Sequence, residues 1–217
     1  YDPAFQKLEA SWRGLHLLVS QCAGFESVYT KVLNVSWADV TKDIERAAEF
    51  DQSNLFKKIY EEEFGIAGGK PYGCLIGDYY VQPDYSADHP IDDLATLRGL
   101  SAIAAAAFAP FITSVAPSML GLTNFNQLER PLDIDRIFEG PAFAKWRSLR
   151  DSDDARFLGL VLPRILLRKS WAHGEKRGDG FCYREHSDTG SKAGPLWGNA
   201  IWAFATVVAR TFDQTGW

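Results

Sequence analysis

The sequence has 217 residues, of which 46% are hydrophobic and 24% are charged, and these values disfavour disordered, collagen-like and coiled-coil classes. A net charge of -5 repels phosphate backbones on average, so we expect no nucleic-acid partner. No apolar run reaches the ~18 residues of a membrane span, so we expect no membrane insertion. Three cysteines without paired spacing are typical of a reducing compartment, and we expect a cytoplasmic location.

The N-terminal part of the chain is predicted to contain a helix, a pair of strands and a second helix. Apolar residues at helical spacing indicate a helix over residues 5–12, and Gly14 is expected to end it. The compact apolar run 15–20 predicts a strand, with the β-branched segment 28–35 as its hairpin partner. Ser36 then has the features of an N-cap, so a second helix is expected to follow it.

The middle of the chain is predicted to contain a buried strand between two helices. Ser53 is a candidate N-cap for a helix over residues 56–64. The short apolar and aromatic stretch 73–81, flanked by Gly and Pro, is typical of a buried strand. Asp92 can cap a helix over residues 94–109 that is so rich in Ala and poor in charge that both of its faces must be covered.

Beyond residue 110 the sequence predicts two further strands separated by a long connection. Residues 111–115 form a buried-strand candidate. In residues 116–139, prolines and a glycine interrupt any regular element, so we expect a connection with short helical turns. Pro141 is well placed to open a helix, and residues 157–162 are a second strand candidate. Residues 169–194 have the most loop-like composition in the chain.

A last helix is predicted to begin at Pro195 and to carry an apolar stripe at 4, 3, 4, 4 spacing: Trp197, Ile201, Phe204, Val208 and Phe212. The alternation of strands and helices along the chain favours an α/β fold. We therefore expect a mixed sheet with helices packed on both faces, in a single domain over residues 1–217.

Few residue patterns point to chemistry. Gly68-Gly69-Lys70 resembles part of a phosphate loop, but that loop needs Gly and Ser or Thr where Phe64 and Pro71 stand, so we predict a turn. The sequence has no Gly-x-Gly-x-x-Gly dinucleotide motif and no Gly-x-Ser-x-Gly nucleophile motif. The acids Asp92-Asp93 fall at an expected helix N-terminus, where the helix dipole accounts for them.

Metal-ligating and nucleophilic side chains are sparse and badly spaced. His173, Cys182 and His186 lack the close paired spacing of a zinc site. Cys22 and Cys74 stand in apolar contexts that favour small buried hydrophobes. We predict no catalytic residues, no metal and no cofactor. An α/β enzyme of unknown chemistry is the rival hypothesis, which a convergence of the two histidines with Cys182 would revive.

Short motifs follow one another in a fixed order over nearly the whole chain. They begin with Phe5-x-x-Leu-Glu-Ala-x-Trp-Arg-Gly-Leu15 and end with Leu196-Trp-Gly-Asn-Ala200 and a closing Gly-Trp. In this order they resemble the large sheath subunit of type VI secretion systems, the TssC (VipB, ImpC) family. The motif and structural positions carried over are Trp12, Arg13, Gly14, Gly69, Pro71, Asp78, Tyr79, Trp146, Arg147, Pro163, Arg164, Arg168, Trp197, Gly198 and Asn199.

This resemblance implies a structural protein of the bacterial cytoplasm, the central α/β body of a sheath subunit. Its implied partners are a small TssB/VipA-like sheath subunit, further copies of the large subunit and an inner tube protein, and contraction of the assembly drives effector injection. A disassembly AAA+ ATPase would act through an N-terminal linker and a C-terminal region that this fragment is expected to lack. A sheath of a related phage-tail-like injection machine is the alternative within the same class.

The sequence departs from the family pattern after Arg168. There the family usually continues with Leu-Pro-Tyr-Gly, whereas this chain has Lys169-Ser170-Trp171, and a following acidic pair is replaced around residues 184–186. These departures indicate a divergent member or a paralogue, so the contacts made by this loop in the family are not carried over. The sequence also leaves open whether four tryptophans lie in the core or at an interface: Trp12, Trp146, Trp197 and Trp202.

Overall fold

A computed structural model of the chain describes residues 2–86, 89–170 and 194–216. The chain forms two compact units, which we call the first unit (Tyr1–Thr30 with Pro163–Trp217) and the second unit (Lys31–Leu162). The predicted α/β class is confirmed, because helices accompany a parallel sheet and an antiparallel pair of strands. The assignment of residues 1–217 to one sheath-body domain stays a prediction.

The chain has three helices before its first strand, and its last three strands follow one another without an intervening helix among the described residues. In order, the regular elements are α1 (Pro3–Cys22), α2 (Trp37–Arg46), α3 (Asn54–Phe56) continuing as a π turn (Lys57–Glu61), β1 (Leu75–Val81), α4 (Asp93–Ala106), β2 (Phe111–Val115), α5 (Ile134–Glu139), α6 (Ala144–Arg150), β3 (Leu158–Val161), β4 (Arg164–Arg168), β5 (Leu196–Asn199) and α7 (Ile201–Thr215). Short 3-10 turns precede or connect several of them, at Phe50–Gln52, Pro117–Leu120, Phe125–Glu129, Pro141–Phe143 and Asp153–Phe157.

The second unit is built on a three-stranded parallel sheet in the order β1-β2-β3. All five residues of the central strand β2 are buried, as expected for a strand covered on both faces. Thr113 in that strand donates its hydroxyl to the carbonyl oxygen of Gly77 at 2.9 Å, which satisfies a buried polar group beside a register shift in β1.

Helix α4 forms the centre of the second unit and contacts all three strands. Asp92 caps it as predicted, by accepting a hydrogen bond from the backbone N–H of Ala95. Its Leu97 and Ile103 are completely buried. Leu97 lies in a core that residues from α2, β1, β2 and α6 complete, and Ile103 lies in a second cluster with Phe56 and Ile59. The prediction from the Ala-rich composition, a helix covered on both faces, is therefore confirmed.

The first unit packs α1 against α7 and against the antiparallel pair β4-β5. The predicted break at Gly14 and the predicted strand over residues 15–20 are wrong, because α1 runs without interruption to Cys22. Gly14, Leu18 and Cys22 form one buried face at helical spacing. Residues 25–36 carry no regular element, so the predicted strand 28–35 is also wrong, since its intended partner is a helix.

The C-terminal part of the first unit also corrects the sequence prediction. Residues 196–199 form strand β5, so Trp197 lies in a strand and α7 begins only at Ile201. Strand β4 is not among the predicted strands, because its sequence Arg-Ile-Leu-Leu-Arg lacks the regular alternation of apolar and polar residues. Of the predicted α7 stripe, Ile201 is buried, whereas Phe204 is exposed.

Other predicted elements are confirmed with small shifts of their ends. Ser36 and Ser53 cap their helices through hydrogen bonds from the N–H groups of Asp39 and Phe56. The strands near 73–81, 111–115 and 157–162, the short helical turns after residue 116 and the helical start at Pro141 are all present. The predicted loop 169–194 falls almost entirely outside the described residues.

Candidate functional site

The structure divides the fifteen motif positions between the two units. The first unit contains Trp12, Arg13 and Gly14 on α1, Pro163, Arg164 and Arg168 at β4, and Trp197, Gly198 and Asn199 on β5. The second unit contains Gly69, Pro71, Asp78, Tyr79, Trp146 and Arg147. Because the positions in the first unit come from distant parts of the sequence and meet in one small unit, we take that unit as the candidate functional site.

Two glycines of the first unit lie where neighbouring side chains leave no room for a Cβ atom. A Cβ atom on Gly14 would overlap the indole of Trp202, so α1 and α7 can pack this closely only because residue 14 lacks a side chain. A Cβ atom on Gly198 would overlap Leu167 and lie 3.7 Å from Cβ of Ala10. Both motif glycines therefore have a packing role.

A carboxylate joins α1 to the strand pair. Glu9 accepts hydrogen bonds from Nε of Arg13 at 2.7 Å and from Nε of Arg168 at 2.9 Å, and the side chain of Arg168 is only 10% exposed. Two arginines on one carboxylate leave the group with a net positive charge, and partial burial strengthens the charge-assisted bonds. Arg168 therefore pairs with an acidic residue of its own chain.

Strand β5 passes directly into α7. The side-chain oxygen of Asn199 accepts a hydrogen bond from the backbone N–H of Ile201 at 2.9 Å. This bond satisfies one of the free N–H groups at the start of the helix. Asn199 is buried, so a residue identified only as part of a sequence motif has a local structural role.

Helix α1 presents an apolar stripe to solvent. Phe5, Leu8, Trp12 and Val19 are between 49% and 65% exposed. At 100° per residue they fall within an arc of about 60°, away from the buried face of Gly14. We call these four residues the α1 stripe. Their spacing of three, four and seven residues is the one with which helices pack side by side.

Other elements of the first unit expose large apolar side chains as well. Leu166 on β4 and Trp197 on β5 are cross-strand partners, and both are about half exposed. They lie on the face of the strand pair opposite Gly198, which faces α1. On α7, Phe204 and Val207 are exposed. Trp12 and Trp197 are therefore surface residues in this chain, whereas Trp202 packs against Gly14.

The motif positions around β1 have structural contacts. The hydroxyl of Tyr79 donates to the carbonyl oxygen of Val35 at 2.8 Å, and its ring packs against Trp37 with centroids 4.9 Å apart. Burial raises the pKa of Tyr79 to about 12, with the negative charges of Asp78 and Asp39 adding to the rise. A phenol that stays protonated at neutral pH serves as a hydrogen-bond donor, not as a base. Asp78 is half-buried beside it in β1.

The Gly68-Gly69 segment forms a turn, as predicted. Gly68 has a positive φ of 84°, and a Cβ atom on Gly69 would overlap the carbonyl oxygen of Glu63. The backbone N–H of Lys70 donates to the carboxylate of Glu63 at 3.2 Å, and Lys31 also pairs with that carboxylate. Pro71 follows in an exposed position. An acidic side chain thus occupies the place where a phosphate loop would hold an anion.

The motif pair on α6 completes the second unit. One guanidinium nitrogen of Arg147 donates to the carbonyl oxygens of Phe138 and Gly140, both at 2.7 Å, and so secures the end of α5. Trp146 is half-buried against the main core, and its ring lies 5.8 Å from that of Phe138. These contacts fix the connection between α5 and α6.

A buried acid cluster at the start of α4 was missed by sequence reasoning. The side chain of Asp93 is fully buried and accepts hydrogen bonds from Nε1 of Trp37 at 2.6 Å, from the N–H of Gln82 at 2.8 Å and from Nε2 of His89 at 2.7 Å. It joins α2, the end of β1 and α4. The one signal in the sequence is the Asp92-Asp93 pair at the start of α4. A helix N-terminus needs only one capping residue, and Asp92 fills that role, so the second aspartate has another function.

The potential metal ligands of the described segments are dispersed. No group of three His, Cys, Asp or Glu residues among residues 2–86, 89–170 and 194–216 can hold a metal ion. Burial raises the pKa of Cys74 to about 11, which keeps its thiol protonated and unreactive at neutral pH. The trio His173, Cys182 and His186 lies outside the described residues. No helix in the part of the chain that the structure describes is long and apolar enough to cross a bilayer.

Comparison with known proteins identifies the class. Residues 1–217 match the VipB (EvpB) family model, described as a tail sheath N-terminal domain. The chain belongs to this family of structural sheath proteins, and the resemblance seen in its motifs is confirmed. Type VI secretion system sheath protein TssC1 of Pseudomonas aeruginosa is 39% identical over 215 residues. The match covers 98% of this chain but 42% of that relative, so the chain spans less than half of the relative's length.

Proposed function

We propose that this chain is the central body of a large subunit of the type VI secretion contractile sheath. Its role would be structural: the assembly contracts and drives effector injection, and no residue of this chain catalyses a reaction. The observation that carries the proposal is the apolar surface of the first unit, in a chain that matches a tail sheath family over its whole length.

The physical argument is that exposed apolar surface favours assembly. Fully burying a large apolar side chain stabilises a complex by about 1.5–3 kcal/mol before the costs of association. The α1 stripe, the Leu166–Trp197 pair and the exposed residues of α7 together offer several such side chains on one unit. Aromatic residues are also enriched at the centres of protein interfaces. These features support a protein that works in a permanent assembly.

The second unit has the properties of a rigid body. Its central strand and central helix are buried, and the Asp93 cluster joins three elements through hydrogen bonds. A contractile lattice needs subunits that keep their shape while their interfaces rearrange, because deformable subunits would absorb the work of contraction. The buried sheet and helix of this unit suit that requirement.

The proposed partners are a small sheath subunit, further copies of the large subunit and an inner tube protein. A disassembly AAA+ ATPase would act through parts of the full-length protein outside these 217 residues. The proposed location is the bacterial cytoplasm. The name of the relative, a type VI secretion system sheath protein, supports a role within a sheath assembly.

The test is assembly of the full-length protein together with its small partner. We expect tubules with cogwheel-shaped cross-sections in negative-stain electron micrographs of the co-produced proteins. Genes for the small partner and a tube protein next to the gene for this chain would agree with the proposal. Soluble complexes that never polymerise at any salt concentration would contradict it.

A further inference from the structure

The parallel sheet of the second unit has two edges that differ in their protection against further pairing. Edge strands expose unpaired N–H and C=O groups, and proteins commonly protect them with bulges, charges or proline. Strand β1 has such a feature, because its pairing with β2 shifts register between Gly77 and Tyr80. Strand β3 pairs with β2 in unbroken register, and its sequence Leu-Gly-Leu-Val contains no charge and no proline. Its length of four residues is the one feature that opposes a further strand.

Strand β3 lies at one end of the sheet with its outer side unpaired. Only alternate residues of an edge strand bond to its single neighbour, so the remaining N–H and C=O groups of β3 point outward. Among residues 2–86, 89–170 and 194–216 no strand pairs with this outer side. All residues of β3 are half-buried, whereas all residues of β2 are buried. A sheet of three strands is also below the usual size of roughly four to six strands.

A cavity of about 580 Å³ lies between β3 and α6. Leu158 and Leu160, which point to the same face because they alternate along β3, line it together with Trp146 and Leu149. The indole Nε1 of Trp146 is buried and has no hydrogen-bond partner among the described residues, although buried donors are normally satisfied. The cavity therefore has room for the side chains of an added strand, and its wall contains a donor that needs an acceptor.

The rest of the full-length polypeptide is the nearest source of such a strand. The matching family model is a tail sheath N-terminal domain. The match covers 42% of the relative, so more than half of that relative lies outside the region that corresponds to this chain. A segment of the same polypeptide binds in an intramolecular step, with an effective concentration that a separate molecule must exceed in order to compete. The polypeptide's own remainder is therefore the favoured occupant of this edge.

We propose that an extended segment from the part of the full-length polypeptide outside residues 1–217 pairs with the outer side of β3 and adds a strand to this sheet. Its backbone bonds to the outward N–H and C=O groups of β3, and apolar side chains at alternate positions enter the cavity beside Leu158 and Leu160. This inference goes beyond the proposed sheath function and does not depend on it. It removes the edge of β3 from the surfaces that contact other subunits.

Hydrogen exchange at single amides tests whether the added strand is present. In the full-length protein co-produced with its small partner, we expect slow exchange at every amide of residues 158–161. The outward-facing amides should exchange at least about 100-fold more slowly than amides of an unpaired strand. Residues 111–115 are the internal control, because β2 is paired on both sides. Slow and fast amides in alternation along β3 would show that no strand pairs with its outer side and would overturn the inference.

Photo-cross-linking of the same protein identifies the occupant of the edge. A benzophenone amino acid replaces Leu162, which directly follows β3 and is 40% exposed. In a control protein it replaces Phe64, which is 41% exposed and follows the π turn of the same unit. We expect the label at Leu162, but not the label at Phe64, to capture one segment outside residues 1–217. Mixing isotope-labelled and unlabelled protein before irradiation shows whether that segment belongs to the same copy.

The two measurements together decide the inference. Slow exchange at every amide of β3, with capture of an outside segment of the same copy, supports it. Capture of a second copy, of the small subunit or of residues within 1–217 overturns it, because the strand then has another source. Absence of specific capture at Leu162 overturns it as well. None of these outcomes changes the test of the sheath function, which depends on polymerisation.

Discussion

Gly14 lies on α1 where the indole of Trp202 from α7 packs against the helix. A Cβ atom there would overlap the indole of Trp202. Helix propensity alone predicts that Gly14→Ala stabilises the protein by about 1 kcal/mol. We expect the reverse, a destabilisation of about 1–3 kcal/mol, because the indole must move to make room. Urea unfolding of the full-length protein measures the difference.

A matched control for this substitution lies just beyond the same helix. Gly24 has open space around its Cα, so Gly24→Ala adds a methyl group without a clash. It should leave the free energy of unfolding unchanged or raise it by about 0.5 kcal/mol. Equal effects of the two substitutions would show that close packing at Gly14 does not determine its identity.

Tyr79 gives the stability of the second unit a defined dependence on alkaline pH. Burial raises its pKa from 10.0 to about 12, so between these values the folded protein keeps a proton that the unfolded chain loses. The unfolded state binds fewer protons in this range, and stability therefore falls as pH rises from 10 to 12. Below pH 10 the contribution is fully present.

The comparison with Tyr79→Phe isolates this effect from the titration of other groups. The variant loses the hydrogen bond to Val35, so it is less stable than the parent at pH 9. Because the variant has no phenol to titrate, its urea midpoint should fall less steeply between pH 10 and 12. Parallel curves for the two proteins would contradict the raised pKa.

At the scale of elements, the α1 stripe makes a prediction about assembly. Trp12 is 64% exposed, so Trp12→Gln should change the free energy of unfolding by no more than about 0.5 kcal/mol. If the stripe packs against a partner, the same substitution should raise the critical concentration for polymerisation several-fold. Sedimentation of the co-produced sheath proteins measures it.

The control substitution belongs on the same helix but outside the stripe. Lys7 is exposed and lies about 100° from Leu8 and about 140° from Trp12 around the helix axis. Lys7→Gln removes a charge and should affect neither stability nor polymerisation. A Trp12→Gln protein that polymerises as readily as the Lys7→Gln protein would show that the α1 stripe is not an interface.

Buried elements were the ones that the sequence could predict. Strands β1, β2 and β3 are short apolar runs between turn residues, and α4 is long, Ala-rich and capped by Asp92. In these segments local propensity and tertiary burial favour the same structure. The predictions were therefore correct to within a few residues at each end.

The first unit was harder to predict because its local signals disagree with its packing. Gly14 was interpreted as a helix breaker, although it is a contact point for Trp202 inside a helix. Pro195 was interpreted as a helix start, although β5 intervenes because β4 supplies a pairing partner. The same disagreement holds at the candidate site: the motifs named Trp12 and Trp197, but only the structure places both at the surface.

At the scale of the whole molecule, the two units differ in how much they bury. The second unit contains a fully buried strand and a central helix with several fully buried side chains. In the first unit, three residues of the long helix α1 are buried, and its stripe is open to solvent. Elements with few buried contacts open more readily. The first unit should therefore be the less protected of the two before assembly.

Hydrogen exchange measured by mass spectrometry can test this difference in the full-length protein. Before assembly we expect the slowest amide exchange in residues 94–104 and 111–115 and faster exchange in α1 and α7. After polymerisation α1 should exchange more slowly, because a partner covers its stripe and opposes local opening. Most of residues 94–104 are already buried, so this segment serves as the internal control. Exchange in α1 that stays unchanged on polymerisation would place the assembly contacts on other elements and remove the first unit as the candidate site.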